Sequence, residues 1–332
     1  MEIRAFFRRL PSNEDGIQYV SVKRRTFLGT TIGAAESVAA ASAGIPIIDT
    51  HIHLFDPRRK QGVPWPPPDD KVLYKPALPD RYRRIAVPLG VVGAVKVEAS
   101  PWLEDNQWVL DTIGKDPLFV GMVGNIEPGK PDFRVSLERF RKNKLFLGIR
   151  CGNLWNRDLA SGLNQPEYVA DLKLLADAGL SMDTANQNEA LIHAALRVTD
   201  LVPNLRLVLD HLPQFIGAKD AAYLRDLREL GKRPHVYAKV SEVLRRVDGR
   251  VPVDVSFYRD RLDLMWEIFG EDRLLYGSDW PNSDQWAEYP AVLGVVREYF
   301  AGKGRAASEK FFWKNSVRAY RWVKRDARQP HL

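Results

Sequence analysis

From Ile45 onward, short apolar runs alternate with amphipathic stretches. Apolar runs of four to eight residues rich in Val, Ile and Leu predict buried strands, and apolar residues spaced i, i+3, i+4 predict helices. The predicted strands are Pro46–His53, Val91–Glu98, Phe119–Asn125, Phe146–Arg150, Leu180–Thr184, Leu205–His211, His235–Ser241 and Leu274–Asp279. Helical spacing falls at Glu104–Lys115, Asp132–Asn143, Gln165–Ala178, Asn188–Leu201, Ala218–Leu230 and Phe257–Gly270, then at Gln285–Phe300 and Ala307–Arg325. The segment "YVADLKLLADAG" follows the helical rule closely, and Gly179 stops it. Strand–helix alternation implies parallel strands joined by right-handed crossovers, and eight such units point to a closed (β/α)8 TIM barrel. A doubly wound open sheet is the alternative. It would bring a Gly-rich phosphate turn after the first strand, which this sequence lacks.

Two regions break the pattern. Leu54–Arg84 is rich in proline ("GVPWPPPDDKVLYKP") and too long for an ordinary connection. It leaves the C-terminal end of the first strand, where barrel enzymes build their sites, so it reads as a flap with Trp65 and Tyr74 as candidate contacts. Residues 1–43 read as an export signal: Arg24-Arg25 before Thr26-Phe27-Leu28 resembles a twin-arginine pattern, an Ala-rich stretch follows, and Ala41-Ser42-Ala43 offers a cleavage site. The expectation is a periplasmic enzyme starting near Gly44, with residues 44–332 as the catalytic domain. Glu36 interrupts the apolar stretch; without a working signal the expected location is the cytoplasm.

Composition changes the picture little. The chain has 332 residues, 45% hydrophobic and 27% charged, which suits an ordinary globular core. A net charge of +7 is spread along the sequence, with no nucleic-acid-binding motif. It leans toward small anionic substrates rather than nucleic acid. No later stretch reaches the ~20 apolar residues of a membrane span. The single cysteine, Cys151, excludes an intrachain disulfide and a cysteine-rich metal cluster, and reads as a small buried side chain. A homodimer is compatible with the fold class.

The chemistry collects at the predicted strand ends. Two of only six histidines stand one residue apart in "IIDTHIHLFDP", and side chains at i and i+2 of a strand share a face, so His51 and His53 aim at one spot. Further strand ends carry Glu98, Asn125, Arg150, Asp183, Asp210-His211, Lys239 with Ser241, and Asp279. Strand interiors of a barrel otherwise favour Val, Ile and Leu.

The segments "DTHIHLFDP", "LVLDHLP", "VYAKVSE", "DRLLYGSDWP" and "FFWKNSVRAY" resemble the amidohydrolase superfamily, in particular its amidohydrolase 2 branch of lactonases and related hydrolases. The resemblance runs from Ile47 to Trp322. It implies a (β/α)8 barrel that hydrolyses lactones or amides or, in a sister branch, decarboxylates acids. His51 and His53 match the family's first-strand pair, His211 its sixth-strand histidine and Asp279 its eighth-strand aspartate. The fourth strand ends "LGIRCG", without the lysine that bridges two metals, and the fifth reads "LSMDTANQ", without the histidine ligand of the decarboxylases. The residues therefore admit one divalent ion, zinc or manganese, on His51, His53, His211 and Asp279, and they also admit metal-free chemistry.

In the expected reaction Asp279 is the general base, its pKa raised by desolvation, and His211 polarises the carbonyl. Arg150 or Lys239 would clamp a substrate carboxylate, with Glu98 and Trp280 completing the pocket. Structural alternatives stay open. Glu98 and Arg150 could pair with each other, Asp210 could orient His211, and Asp183 could cap a helix. Three function classes remain: a lactone or cyclic-amide hydrolase, a single-metal decarboxylase, and a non-catalytic small-molecule binder on the same scaffold.

Overall fold

The computed structural model describes residues 44–185, 188–212 and 221–332. The expected export signal at 1–43 lies outside them. Eight strands form one sheet in sequence order: β1 (Ile47–Ile52), β2 (Val91–Lys96), β3 (Phe119–Gly124), β4 (Phe146–Arg150), β5 (Ser181–Asp183), β6 (Arg206–Leu209), β7 (Val236–Val240) and β8 (Leu274–Tyr276). Every neighbouring pair is parallel. The seam between β8 and β1 is closed by the end of β1, the residue after it and the turn that follows β8. The Asp279 N–H donates to the His51 carbonyl at 2.8 Å, and the His53 N–H donates to the Trp280 carbonyl at 2.7 Å. The bonds that complete the barrel are thus made by the segments that carry the candidate chemistry.

Most strands end one to three residues earlier than the apolar pattern predicts. The reason is visible at His211 (φ 70°) and Asp279 (φ 60°), whose left-handed backbone leaves the ladder and turns the polar side chain over the barrel mouth. Apart from the short, unexpected helix Leu159–Gly162, the helices between β2 and β8 and the helix Tyr289–Gly302 fall within about one turn of the expected positions. The flap is only part of Leu54–Arg84: its last residues begin the helix Pro79–Ala86, the crossover from β1 to β2. Only Tyr82 and Ala86 of that helix are buried, so its apolar signal is too sparse to read beside the prolines. The last predicted helix stops at Tyr320, because Arg321 adopts φ 54° and no α-helix continues through it.

Asp49, in the middle of β1, sets the geometry of the mouth. Its Oδ1 accepts the backbone N–H of Ser278 at 2.9 Å and of His51 at 3.2 Å. Its Oδ2 accepts the hydroxyls of Tyr82 at 2.8 Å and Tyr289 at 2.9 Å. Burial pushes its pKa up, and the hydrogen bonds from Ser278, Tyr82 and Tyr289 offset only part of that rise. Asp49 thereby ties β1 to the turn after β8 and fixes His51 against Asp279. At the other end of β8 the Asn315 amide donates to the Glu271 and Leu274 carbonyls and braces the start of the strand.

Candidate active site

His51, His53 and Asp279 meet at the floor of the mouth, all buried. His53 Nδ1 lies 3.1 Å from the Val97 carbonyl, which can only accept, so Nδ1 carries the hydrogen and Nε2 presents a lone pair. That lone pair faces Asp279 Oδ1 at 3.1 Å. His51 Nε2 stands 3.5 Å from the same oxygen and has no hydrogen-bond partner among the described residues. Burial pushes the pKa of His51 well down and that of His53 down, so both rings are neutral at neutral pH. Two neutral rings and a carboxylate, with donor atoms within 4.8 Å of one another, make a ligand set for one divalent cation. An orphaned buried ring nitrogen aimed at a carboxylate is what such a cation would satisfy.

Asp279 differs from expectation in its ionisation. Burial does push its pKa up, but positive charge on the His211, His51 and His53 rings when they are protonated, with His53 then donating to Oδ1, outweighs burial and holds it below the usual carboxylate range. Desolvation was only half of the environment. Asn282 holds the other oxygen, donating from Nδ2 to Oδ2 at 2.6 Å.

Beneath this floor lies a sealed ion network. Lys239 Nζ donates to Asp183 Oδ2 at 2.6 Å and pairs with Asp210 Oδ1 at 2.8 Å. The Tyr320 hydroxyl donates to Asp183 at 2.7 Å, and Arg150 Nε pairs with Asp210 Oδ2 at 2.9 Å. Asp210 Oδ1 also stands 3.6 Å from His51 Nδ1. Three sequence expectations are corrected here. Lys239 is fully buried in this network and does not face the cavity. Asp183 pairs with Lys239 instead of contacting substrate or capping a helix. Asp210 braces His51, while His211 is oriented by Ser241, whose Oγ lies 2.9 Å from Nδ1. Burial pushes Asp183 up to about 6 despite Lys239. Asp210 is held well below its ordinary range because Lys239, His51 and Arg150 together outweigh its burial.

Above the floor is a cavity of about 270 Å³. His53, His211 and Asp279 reach it, with Arg150 and Glu98 on one side and Trp65 of the flap on another. Tyr74, the other flap candidate, is not on its wall. Glu98 does not pair with the Arg150 guanidinium. Both its oxygens accept from Arg157 Nη2, at 2.6 and 2.8 Å, so its carboxylate is spoken for. Trp280 is also corrected: it is buried on the far side of the Asp279 turn, against Tyr82 and under Arg81. Asn125 bonds Asn106 and the Ser100 and Trp102 carbonyls, bracing the loop after β2. Cys151 is buried, and burial pushes its thiol up to about 12.

Sequence reasoning passed over Glu242, Asn282, Trp155 and Arg157. Glu242 and Asn282 stood inside quoted or adjacent motif segments, one residue past Ser241 and three past Asp279, which was the available signal. Gly277 directly follows β8 and packs against β1. A Cβ there would lie 2.7 Å from His51 Cβ. Gly277→Ala is therefore expected to cost about 1–3 kcal/mol of stability and to lower activity by displacing His51. Equilibrium denaturation checks this, and a variant as stable as the parent would refute the contact.

Comparisons with known proteins agree with this architecture. The amidohydrolase family model matches residues 48–322. The L-fucono-1,5-lactonase of Burkholderia ambifaria is 26% identical over 245 residues, covering 71% of this chain and 80% of that protein. The L-fucono-1,5-lactonase of Burkholderia multivorans is 25% identical over 292 residues, covering 80% and 92%. Among solved structures, an amidohydrolase from Burkholderia multivorans with bound zinc superposes with a TM-score of 0.73 at 21% identity, covering 84% of this chain and 100% of that one. The family match spans nearly all the described residues and includes every residue of the candidate site: the chain belongs to the amidohydrolase family.

Proposed function

We propose that this chain hydrolyses a lactone of a small organic acid, with Asp279 taking the proton of the attacking water. The observation that carries the proposal is the convergence of His51 and His53 on Asp279 at the floor of a cavity sized for one small ring. Two relatives named as lactonases support the choice of substrate class.

A divalent ion held by His51, His53 and Asp279, with His211 on the wall above, would supply Lewis acidity and a more acidic bound water. The chain's own residues do the rest. Asp279 Oδ2 is tied down by Asn282, so the carboxylate keeps one orientation while it accepts a proton from water. The water oxygen bonds to the lactone carbonyl carbon. The ring C–O bond then breaks, and the proton passes from Asp279 to the leaving oxygen, giving a hydroxy acid. Arg150 Nη2 and His211 Nε2 meet at 3.4 Å on the wall beside Asp279. A carbonyl oxygen entering between them gains a donor as negative charge builds on it.

The test is a lactone panel run on protein whose metal content is measured in the same sample. Hydrolysis of a six-membered lactone by protein with a single bound divalent ion is expected. If protein supplied with zinc or manganese hydrolyses no lactone in a broad panel, the proposal fails.

A further inference from the structure

The residue after Ser241 brings a carboxylate to the same cavity. Glu242 follows β7 by two residues and lines the wall, with Oε1 3.8 Å from His211 Nε2. Its ligand oxygen lies within 4.8 Å of those of His211 and Asp279. It does so from a left-handed backbone, φ 48°, which a long side chain adopts only where its surroundings impose it. Arg245 holds Glu242 Oε2 from one side at 3.2 Å, which orients the carboxylate.

The charges around the cavity decide what this carboxylate can meet. Glu98, Glu242 and Asp279 are all on the wall. The cation sharing that wall among the described residues is Arg150. Its Nε already faces Asp210 and the Thr184 carbonyl, and its Nη2 faces His211. A carboxylate on the substrate would meet Glu242 and Asp279, with only the Arg150 Nη groups, shared with His211 and the Glu98 carbonyl, to offset them among the described residues. A hydroxyl would find an oriented acceptor.

We propose that Glu242 sets substrate choice: its carboxylate accepts a hydrogen bond from a hydroxyl on the lactone ring and excludes lactones that carry a carboxylate. The substrate class is then a neutral, hydroxylated lactone, which reverses the anionic preference expected from the net charge. This rests on the lactonase reading above.

The test compares Glu242→Gln with the parent on gluconolactone, which is neutral and hydroxylated, on δ-valerolactone, which has no hydroxyl, and on isocitric lactone, which carries carboxylates. The gluconolactone to δ-valerolactone ratio of kcat/KM should fall about 30-fold in the variant, because a charged acceptor is lost. The gluconolactone to isocitric lactone ratio should fall about 100-fold, because repulsion is lost as well. If Glu242→Gln lowers all three in proportion, leaving the ratios unchanged, the proposal is overturned. Glu242→Asn, which tolerates the left-handed backbone, repeats the measurement should the glutamine variant fold poorly.

Binding separates this result from failure of the lactonase reading. If the parent hydrolyses none of the three, calorimetry with two lactam analogues decides the role of Glu242: gluconolactam, and pyroglutamate with its carboxylate. A parent preference for gluconolactam that Glu242→Gln abolishes supports it. Equal binding by the parent overturns it.

Discussion

Asp279→Asn is expected to lower kcat for lactone hydrolysis about 10³-fold while leaving the protein folded. The amide matches the carboxylate in shape. Its oxygen can accept the Asn282 N–H that Asp279 Oδ2 accepts now. Its NH2 then points toward His53 Nε2, whose lone pair faces that position, and toward His51 Nε2. Every buried polar group keeps or gains a partner, so the variant should fold, but the interactions that favour the ionised carboxylate are lost and the melting temperature should fall modestly. What is lost is the proton acceptor and the charged member of the cation site, so divalent-metal content should fall in the same variant.

The pH dependence sharpens this expectation. The surrounding rings hold the Asp279 carboxyl below the usual range, so it is ionised well before neutrality is approached from the acid side. The loss in Asp279→Asn should therefore be of similar size from about pH 5 to pH 9, with no carboxylate titration in the ordinary carboxylate range separating the two profiles. Steady-state rates across that range, with metal analysis and a thermal melt, check all three expectations. Activity within tenfold of the parent would remove Asp279 from the chemistry.

The parts of this site that sequence reveals are those whose spacing forces a geometry. Two histidines at i and i+2 on a strand share a face whatever surrounds them, so the meeting of His51 with His53 follows from local rules. The placement of Asp279 against them follows from closing an eight-stranded barrel, because β8 must return beside β1. Depth is not encoded in this way. Arg150 and Lys239 both stand near the ends of buried strands and carry the same kind of side chain. Arg150 is the last residue of β4 and reaches the cavity wall, whereas Lys239 stands one residue before the end of β7 and lies one layer below. Asp210 is divided between Arg150, Lys239 and His51, a three-way choice that no pairwise spacing predicts. The helix Pro79–Ala86 was hidden for a different reason: a short crossover flanked by prolines needs few buried residues, so it leaves little periodic signal.

Lys239→Met should be the most destabilising single change in the barrel interior, costing about 3–5 kcal/mol. Four charges are buried together: Lys239 and Arg150 against Asp183 and Asp210. Two cations balance two carboxylates, and Tyr320 adds a hydroxyl donor to Asp183. Methionine fills the space of the lysine stem but leaves two buried carboxylates with one guanidinium between them. Asp183, which burial already pushes up to about 6, is the group expected to take a proton in response. Adding Asp183→Asn to Lys239→Met restores the balance, with Arg150 facing Asp210 alone, and should recover more than half of the lost stability. Denaturant melts of the two single variants and the double variant supply the cycle. The same set separates a structural lysine from a substrate-clamping one. A clamp would raise KM and leave stability near that of the parent, whereas the buried network requires a stability loss that the second substitution repairs.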